Sequence, residues 1–247
     1  MKLTQPSIRL SPLDTQRFGI RTARAFAGTV EDVSAILDFC AREDVDLLIV
    51  RCHADDLRTA HRLEQAGGRL MDTLIYYCRD LQGTPIPAEE PFVLIRSARP
   101  EDVEAVRHIA AEAFRGYRGH YHADPRLDPV NSDEAYVDWA VRSCRGELAD
   151  EVLVAAEEGG RLLGFVTLRL NDPEEVEGGL FAVSPEARGK GIARALIIEA
   201  LRWCQRRKMA RFLISTQITN IAAQKVWIRA GLEPSYAYYT FHVWFDE

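Results

Sequence analysis

Apolar positions recur at helical spacing at Val33, Ile36, Leu37 and Cys40, and Thr29 with Asp32 supplies a start resembling a capping box. That pattern predicts a helix from Thr29 onward. The period then shortens, predicting a strand over 45–51. A second helix is expected over about 55–65, with Leu57, Ala60 and Leu63 aligned on one face and Gly67-Gly68 at its C-terminus. A run of β-formers over 70–78 closes this first stretch as a strand.

Residues 81–91, LQGTPIPAEEP, cannot continue a helix or an interior strand, because three prolines and a glycine remove donors and fix turns. This segment reads as a linker and divides the chain into a unit at 1–81, a linker at 82–91 and a unit at 92–247. The second unit opens with a strand over 92–97 and a helix led in by Pro100 and reaching about Phe114. A loop over 115–130 precedes an amphipathic helix over 132–144. Three strands follow as a meander over 152–157, 162–170 and 176–183, with turns at Glu158-Gly159-Gly160 and Asn171-Asp172-Pro173. A helix over about 192–206, a strand over 211–216, a helix over 221–229 and a strand over 236–244 complete the order.

The two ends echo each other. Leu47-Leu48-Ile49 falls on Phe212-Leu213-Ile214 at a separation of 165, and Ala66-Gly67 falls on Ala230-Gly231 at 164. Leu74-Ile75-Tyr76-Tyr77 falls on Tyr238-Tyr239-Thr240-Phe241, again at 164. One residue of slippage reconciles the offsets, and a repeat of this length points to a duplicated half-domain, not a solenoid.

Composition narrows the class. The 247 residues are 47% hydrophobic and 28% charged with a net charge of −6, which excludes a disordered tail and a generally basic nucleic-acid binder. The longest apolar runs are far short of a bilayer span, and 1–14 has no signal-peptide core, so a cytoplasmic location without membrane partners is expected. Cys40, Cys52, Cys78, Cys144 and Cys204 are odd in number and widely spaced, which argues for packed thiols and against disulfides or a zinc site. Charge is segregated: 147–177 holds nine acids and two bases, whereas 186–211 holds two acids and eight bases. An anion is expected near the basic segment.

That segment contains LFAVSPEARGKGIARA, residues 180–195. A strand ends at Val183, and Arg188-Gly189-Lys190-Gly191-Ile192-Ala193 opens a helix. Gly189 and Gly191 admit backbone angles that a Cβ disfavours, successive amides gather at a helix N-terminus, and Arg188, Lys190 and Arg194 add full charges. These are the parts of a diphosphate cradle.

Arg188-x-x-Gly191-x-Ala193 resembles the pyrophosphate loop, Gln/Arg-x-x-Gly-x-Gly/Ala, of the GNAT (Gcn5-related N-acetyltransferase) superfamily, and the order of elements from Phe92 to Phe245 resembles a GNAT domain. The resemblance implies an α/β fold with a central mixed sheet flanked by helices, in tandem with a truncated N-terminal GNAT-like half that lacks the loop. It implies acetyl-CoA as co-substrate, with no metal, held by the bulged strand at Phe181, Ala182 and Val183, by Arg188, Gly189, Lys190, Gly191, Ile192 and Ala193, and by Asn220, Ala223 and Trp227 on the following helix. Trp227 stands where the family often carries a tyrosine that meets the sulfur. Tyr239 is therefore the expected proton donor, by similarity to a branch of the family acting on nucleotide-linked amino sugars. Glu177, six residues before Val183, stands where several members of the family carry a glutamate that deprotonates the amine, and the resemblance makes it the expected base. Strand alternation puts it on the same face as Gly179, Phe181 and Val183 in an ideal strand, which a bulge would shift.

The loop RGYRGHYHADPRLDPV, 115–130, resembles a stretch of the same branch with His120-Tyr121 in place of Arg-Phe. A lid over the acceptor is expected there, using His120, Tyr121 and His122, with Tyr136 and Trp139 behind it. Together these resemblances imply an N-acetyltransferase with a small-molecule amine as partner, the acceptor being a nucleotide-linked amino sugar. Another small amine (amino acid, polyamine or antibiotic) and a non-catalytic acyl-CoA sensor are the alternatives, and a homodimer stays open.

Overall fold

The computed structural model of the chain describes residues 7–88 and 93–245. The end of the expected linker at 89–91 and the expected strand start at Phe92 lie outside the described residues. The strands are β1 (Ser7–Leu10), β2 (Thr22–Ala27), β3 (Leu47–His53), β4 (Arg69–Asp80), β5 (Leu94–Ser97), β6 (Glu151–Ala156), β7 (Leu162–Asp172), β8 (Glu175–Val183), β9 (Arg211–Gln217) and β10 (Glu233–Trp244). The helices are α1 (Pro12–Phe18), α2 (Asp32–Arg42), α3 (Leu57–Gln65), α4 (Val103–Ala113), α5 (His120–Ala123), α6 (Pro129–Cys144), α7 (Ile192–Arg206) and α8 (Ile221–Arg229).

Compactness divides the chain into two interleaved units that cut across the halves on either side of the linker. The first collects the chain up to Ile75, then Arg118–Ser132 and the tail from Tyr236; the second holds Tyr76–Tyr117 and Asp133–Ser235.

In the first unit the strand order is β1-β2-β3-β10-β4. β1 is antiparallel to β2, β2 parallel to β3, and β3 antiparallel to β10. Alternation sends Ala23, Ala27, Leu48, Val50, Cys52, Phe241 and Val243 to one face, where Val33, Ile36 and Cys40 of α2 and Ala60 and Leu63 of α3 complete the core. Ile36 and Leu63 are fully buried, each contributing roughly 1.5–3 kcal/mol relative to exposure. The opposite face carries Arg24, Phe26, Arg51, His53, Tyr238, Thr240 and His242. β1, α1 and β2 are elements the periodicity did not announce, although Pro12 in the first turn of α1 and the left-handed Gly19 after it mark a helix's two ends.

In the second unit β4, through its residues from Tyr76, lies beside β9, and the order continues β9-β8-β7-β6-β5. β8 and β9 are parallel, and the β7–β8, β6–β7 and β5–β6 pairs are antiparallel. The Leu81 amide donates to the Ala210 carbonyl at 2.8 Å and extends the β4–β9 edge. Each unit thus takes one strand from the other half of the sequence.

The repeat is more regular than the residue matches suggest. β3, α3 and β4 begin and end 164 positions before β9, α8 and β10, with no slippage. The caps follow the same offset: Asp56 accepts from the Thr59 amide at 3.1 Å, and Asn220 accepts from the Ala223 amide at 3.3 Å. Gly67 and Gly231 close the two helices at φ 85° and 84°. The 165-residue match of Leu47-Leu48-Ile49 is off by one because side-chain likeness, and not strand register, set it.

All five thiols are free. Burial pushes Cys40 and Cys144 up to about 11 and Cys204 up to about 12. Burial, aided by Asp56, raises Cys52 to about 12. They are unreactive packed side chains.

Candidate active site

The second unit contains a wedge between two parallel strands. β8 and β9 pair from Glu175–Arg211 to Gly178–Ile214, and no pairing continues toward Val183 or Gln217. Divergence begins where β8 bulges. On the β7 side the register passes from Leu168–Gly178 to Val166–Phe181, so Gly179 and Leu180 together oppose Thr167. The Thr167 hydroxyl accepts the Leu180 amide at 2.8 Å and satisfies the donor that the bulge displaces.

Backbone alternation aims the rest of β8. The Ser184 amide donates to the Leu163 carbonyl at 2.9 Å, so the backbone groups of Phe181 and Val183 turn away from β7. They face the edge that β9 has left. Phe181, Ala182 and Val183 therefore form the wall of the wedge, with two residues' backbone groups free for an extended ligand.

The bulge corrects one expectation. Glu177 pairs with Arg169, whereas Phe181 and Val183 pair with Val166 and Gly164. Arg169 shares its face with Thr167, and Val166 and Gly164 point to the other. Glu177 is therefore on the side opposite Phe181 and Val183, because the extra residue reverses the alternation. It shares a face with Gly179, where an added Cβ would lie 3.3 Å from the Trp139 ring. Its carboxylate accepts from Asn171 Nδ2 at 3.1 Å and is half-buried.

The cradle stands at the end of β8. Gly189 and Gly191 have φ of 77° and 80°, the left-handed conformation that L side chains resist, and Gly191 caps α7 without any side-chain acceptor. Among the described residues, no protein acceptor takes the amides of Gly189, Lys190, Gly191, Ile192 or Ala193. Arg188 and Lys190 are exposed, and Arg194 is half-buried. Arg161 holds the neighbouring acids, reaching Glu157 at 2.6 Å. That hydrogen bond, followed by the charges of Arg161 and Lys190, keeps the Glu157 carboxyl below its ordinary range. Arg188 makes no ion pair among the described residues. Free amides at a helix N-terminus, with Arg188 and Lys190 exposed beside them, fit an anionic group of two phosphates.

Asn220 caps α8, and its Nδ2 donates to the Thr216 hydroxyl at 3.0 Å. Ala223 is half-buried one turn along. Trp227, expected as a cofactor contact, is only 2% exposed and packs against Tyr77 of β4, centroids 5.5 Å apart. Its ring is core, because α8 turns that position down onto the sheet. The Tyr77 hydroxyl donates to Gln224 Oε1 at 3.1 Å, one turn from the Asn220 cap. Sequence reasoning missed Tyr77, since strand exchange alone brings β4 beside β9.

It also missed Tyr117 and Gln217. The Tyr117 hydroxyl donates to Gln217 at the end of β9, and its ring meets Tyr136 edge-on at 5.3 Å. Tyr136 stacks on Phe114 at 4.8 Å and is buried. This aromatic wall flanks the second unit's wedge.

The remaining expected residues belong to the first unit. Tyr239 lies on β10 opposite Cys52 of β3, half-buried against the α2–α3 core. His120 and Tyr121 are buried, which corrects their placement on an open lid. Tyr121 donates to Asp14 at 2.7 Å and takes a hydrogen bond from Arg24. Burial alone would raise Asp14, but the Arg24 charge and hydrogen bonds from Arg24, Ser11 and Tyr121 bring it down to about 2. Asp124 accepts from His242 Nδ1 at 2.7 Å and from Trp244 Nε1 at 2.9 Å. His242 Nε2 and His120 Nδ1 are 3.0 Å apart, within hydrogen-bond distance. Burial, then His242, Arg24, Arg51 and His122, hold His120 well below its ordinary value. His122 is half-buried beside it. Loop 118–132 is thus fastened by polar side chains to the first unit's sheet. No group of three potential ligands capable of holding a metal is found among the described residues, and no helix there is long and apolar enough to cross a membrane.

Comparison with known proteins supplies an independent line. The profile of the acetyltransferase (GNAT) family matches residues 103–232. The spore coat polysaccharide biosynthesis protein SpsD of Bacillus subtilis (strain 168) is 26% identical over 207 residues, covering 82% of this chain and 68% of that protein. The dTDP-fucosamine acetyltransferase of Escherichia coli O6:H1 is 30% identical over 134 residues, covering 54% and 56%. Among solved structures, a tandem GNAT protein from the clavulanic acid biosynthesis pathway aligns with a TM-score of 0.63 at 15% identity, over 91% of this chain and 75% of that one.

Proposed function

Because the chain belongs to the acetyltransferase (GNAT) family, we propose that it transfers acetyl from acetyl-CoA to the primary amine of a nucleotide-linked amino sugar. The observation that carries the first half is the row of free amides from Gly189 to Ala193 beside Arg188 and Lys190, at the end of a strand whose open edge accommodates an extended arm. The acceptor rests on two relatives, one named for polysaccharide biosynthesis and one for a dTDP-linked amino sugar.

A neutral amine attacks the thioester carbonyl, an oxyanion forms, and CoA leaves as a thiolate. A thiol of pKa about 8.5 is a tolerable leaving group, so positioning and carbonyl polarisation carry most of the work. The Val183 amide faces the wedge and polarises the carbonyl. Glu177 receives the ammonium proton through water from the α6 side. The thiolate is protonated by a phenol, for which Tyr239 is the choice from resemblance and Tyr77 the alternative beside α8.

Thiol release measured with acetyl-CoA against amino sugars, their nucleotide conjugates, polyamines and amino acids tests the whole reading. Turnover should be fastest with a nucleotide conjugate. Faster turnover of a polyamine or amino acid would replace the acceptor, and CoA binding without any release would make the chain a sensor. Tyr239→Phe and Tyr77→Phe, run in parallel, identify the donor by a fall in kcat of about 10²-fold or more in one of them.

A further inference from the structure

The face of the first unit's sheet away from α2 and α3 holds polar groups that the transfer chemistry does not use. Arg51 lies at its centre. It is directly opposite Thr240 on β10 and Phe26 on β2, so the three side chains leave the sheet on one side. Arg51 is half-buried and, among the described residues, makes no hydrogen bond or ion pair. Two carboxylates of this unit, Asp14 and Asp124, are engaged by other groups. Asp14 is taken by Arg24, Ser11 and Tyr121, and Asp124 by His242, Trp244 and the Arg126 amide.

Two further groups on this face are orphaned. Thr240 is completely buried, and its hydroxyl has no hydrogen-bond partner. His53, two residues along β3 on the same face, has a buried Nδ1 without a partner. Its ring is fixed between Phe26 at 5.3 Å and Tyr238 at 4.8 Å. A buried hydroxyl left without a partner destabilises the fold, and a folded chain rarely bears that without a compensating use.

We propose that Arg51, Thr240 and His53 form a binding site for a phosphate oxyanion in the first unit, separate from the cradle of the second. The Arg51 fork offers two parallel donors, the Thr240 hydroxyl a third and the His53 ring nitrogen a fourth, a set that matches an oxyanion with several acceptor oxygens. Phe26 and Tyr238 hold the His53 ring in place. The phosphate comes either free or as the diphosphate of a nucleotide. The site stands on first-unit geometry and does not require the acetyl-transfer reading.

Calorimetric titration of the full chain with inorganic phosphate, a nucleoside diphosphate and the uncharged nucleoside tests it. Each titration is run on the unmodified protein and on Arg51→Gln, Thr240→Val and Arg188→Ala. Binding of phosphate or the diphosphate is expected to weaken at least tenfold in Arg51→Gln and severalfold in Thr240→Val, and to persist in Arg188→Ala. Thr240→Val should keep or raise the melting temperature, because it removes an orphaned hydroxyl at nearly constant shape. Equal affinity of the two anions identifies the free oxyanion as the ligand, and preference for the diphosphate identifies the nucleotide. No binding of either anion overturns the proposal. Binding that survives Arg51→Gln but disappears in Arg188→Ala also overturns it, since the anion then sits in the cradle.

Discussion

The two units treat the same junction, the loop between a strand and the following helix, in opposite ways. In the first, Asp32 reaches back from the start of α2, and its Oδ2 accepts the Gly28 amide at 2.9 Å and the Thr29 amide at 2.8 Å. The chain's own carboxylate fills the place where an anion would sit. In the second, Gly191 caps α7 with no side chain to offer, and the amides before and after it stay open. A helix N-terminus attracts negative charge in either case. What separates a scaffold from a binding loop is whether the sequence supplies that charge itself.

The comparison can be broken most sharply at Gly191. A β-branched residue at φ 80° is strained by about 1–3 kcal/mol and crowds the amides as well. Gly191→Val should therefore lower kcat/KM for acetyl-CoA by about 10²-fold while the fold persists, seen by circular dichroism beside the kinetic assay. Undiminished turnover would show that the cradle does not hold the co-substrate.

The helix ends sharpen it next. Gly67 and Gly231 share the left-handed conformation, but an added Cβ meets nothing within 4 Å at Gly67 and lies 1.8 Å from Arg79 Nη1 at Gly231. The buried Arg79 guanidinium holds the carbonyls of Ala230, Gly231 and Pro85 at 2.9, 2.8 and 2.7 Å. Gly67→Ala should cost about 1 kcal/mol in urea unfolding, the backbone strain alone. Gly231→Ala should cost about 1–2 kcal/mol more, since Arg79 must give up hydrogen bonds to move. Equal losses would mean that Arg79 swings aside freely.

The smallest effect belongs to the closed loop. Asp32→Ala should cost about 1 kcal/mol of stability, as loss of a cap does, and leave KM for acetyl-CoA unchanged. A rise in KM would mean that the first unit's loop takes part in co-substrate binding.

Much of this was legible in the sequence because it is local. The caps at Asp56 and Asn220, the C-terminal glycines and the glycines of the cradle follow from residues within a turn of one another. The Thr29–Asp32 pair was also legible, although only the half in which Asp32 accepts is made and Glu31 stands at the cap. The 164-residue repeat could be read to within one residue. Glu177 was misjudged because alternation is a local rule, and the bulge at Gly179-Leu180 depends on Thr167 of a neighbouring strand.

By itself, then, the sequence determined the kinds and order of most elements and the chemistry of the cradle, since hydrogen-bond supply, backbone freedom and charge at a helix start are decided within a few residues. Only the tertiary structure decided which strand stands beside β9, which face Glu177 occupies and where His120 and Tyr121 spend their polar atoms. Strand order and burial are set by competition among distant segments for the same edges and apolar faces. In a duplicated chain β4 and β10 follow like helices at the same spacing, and their local signals do not say which partner each will take.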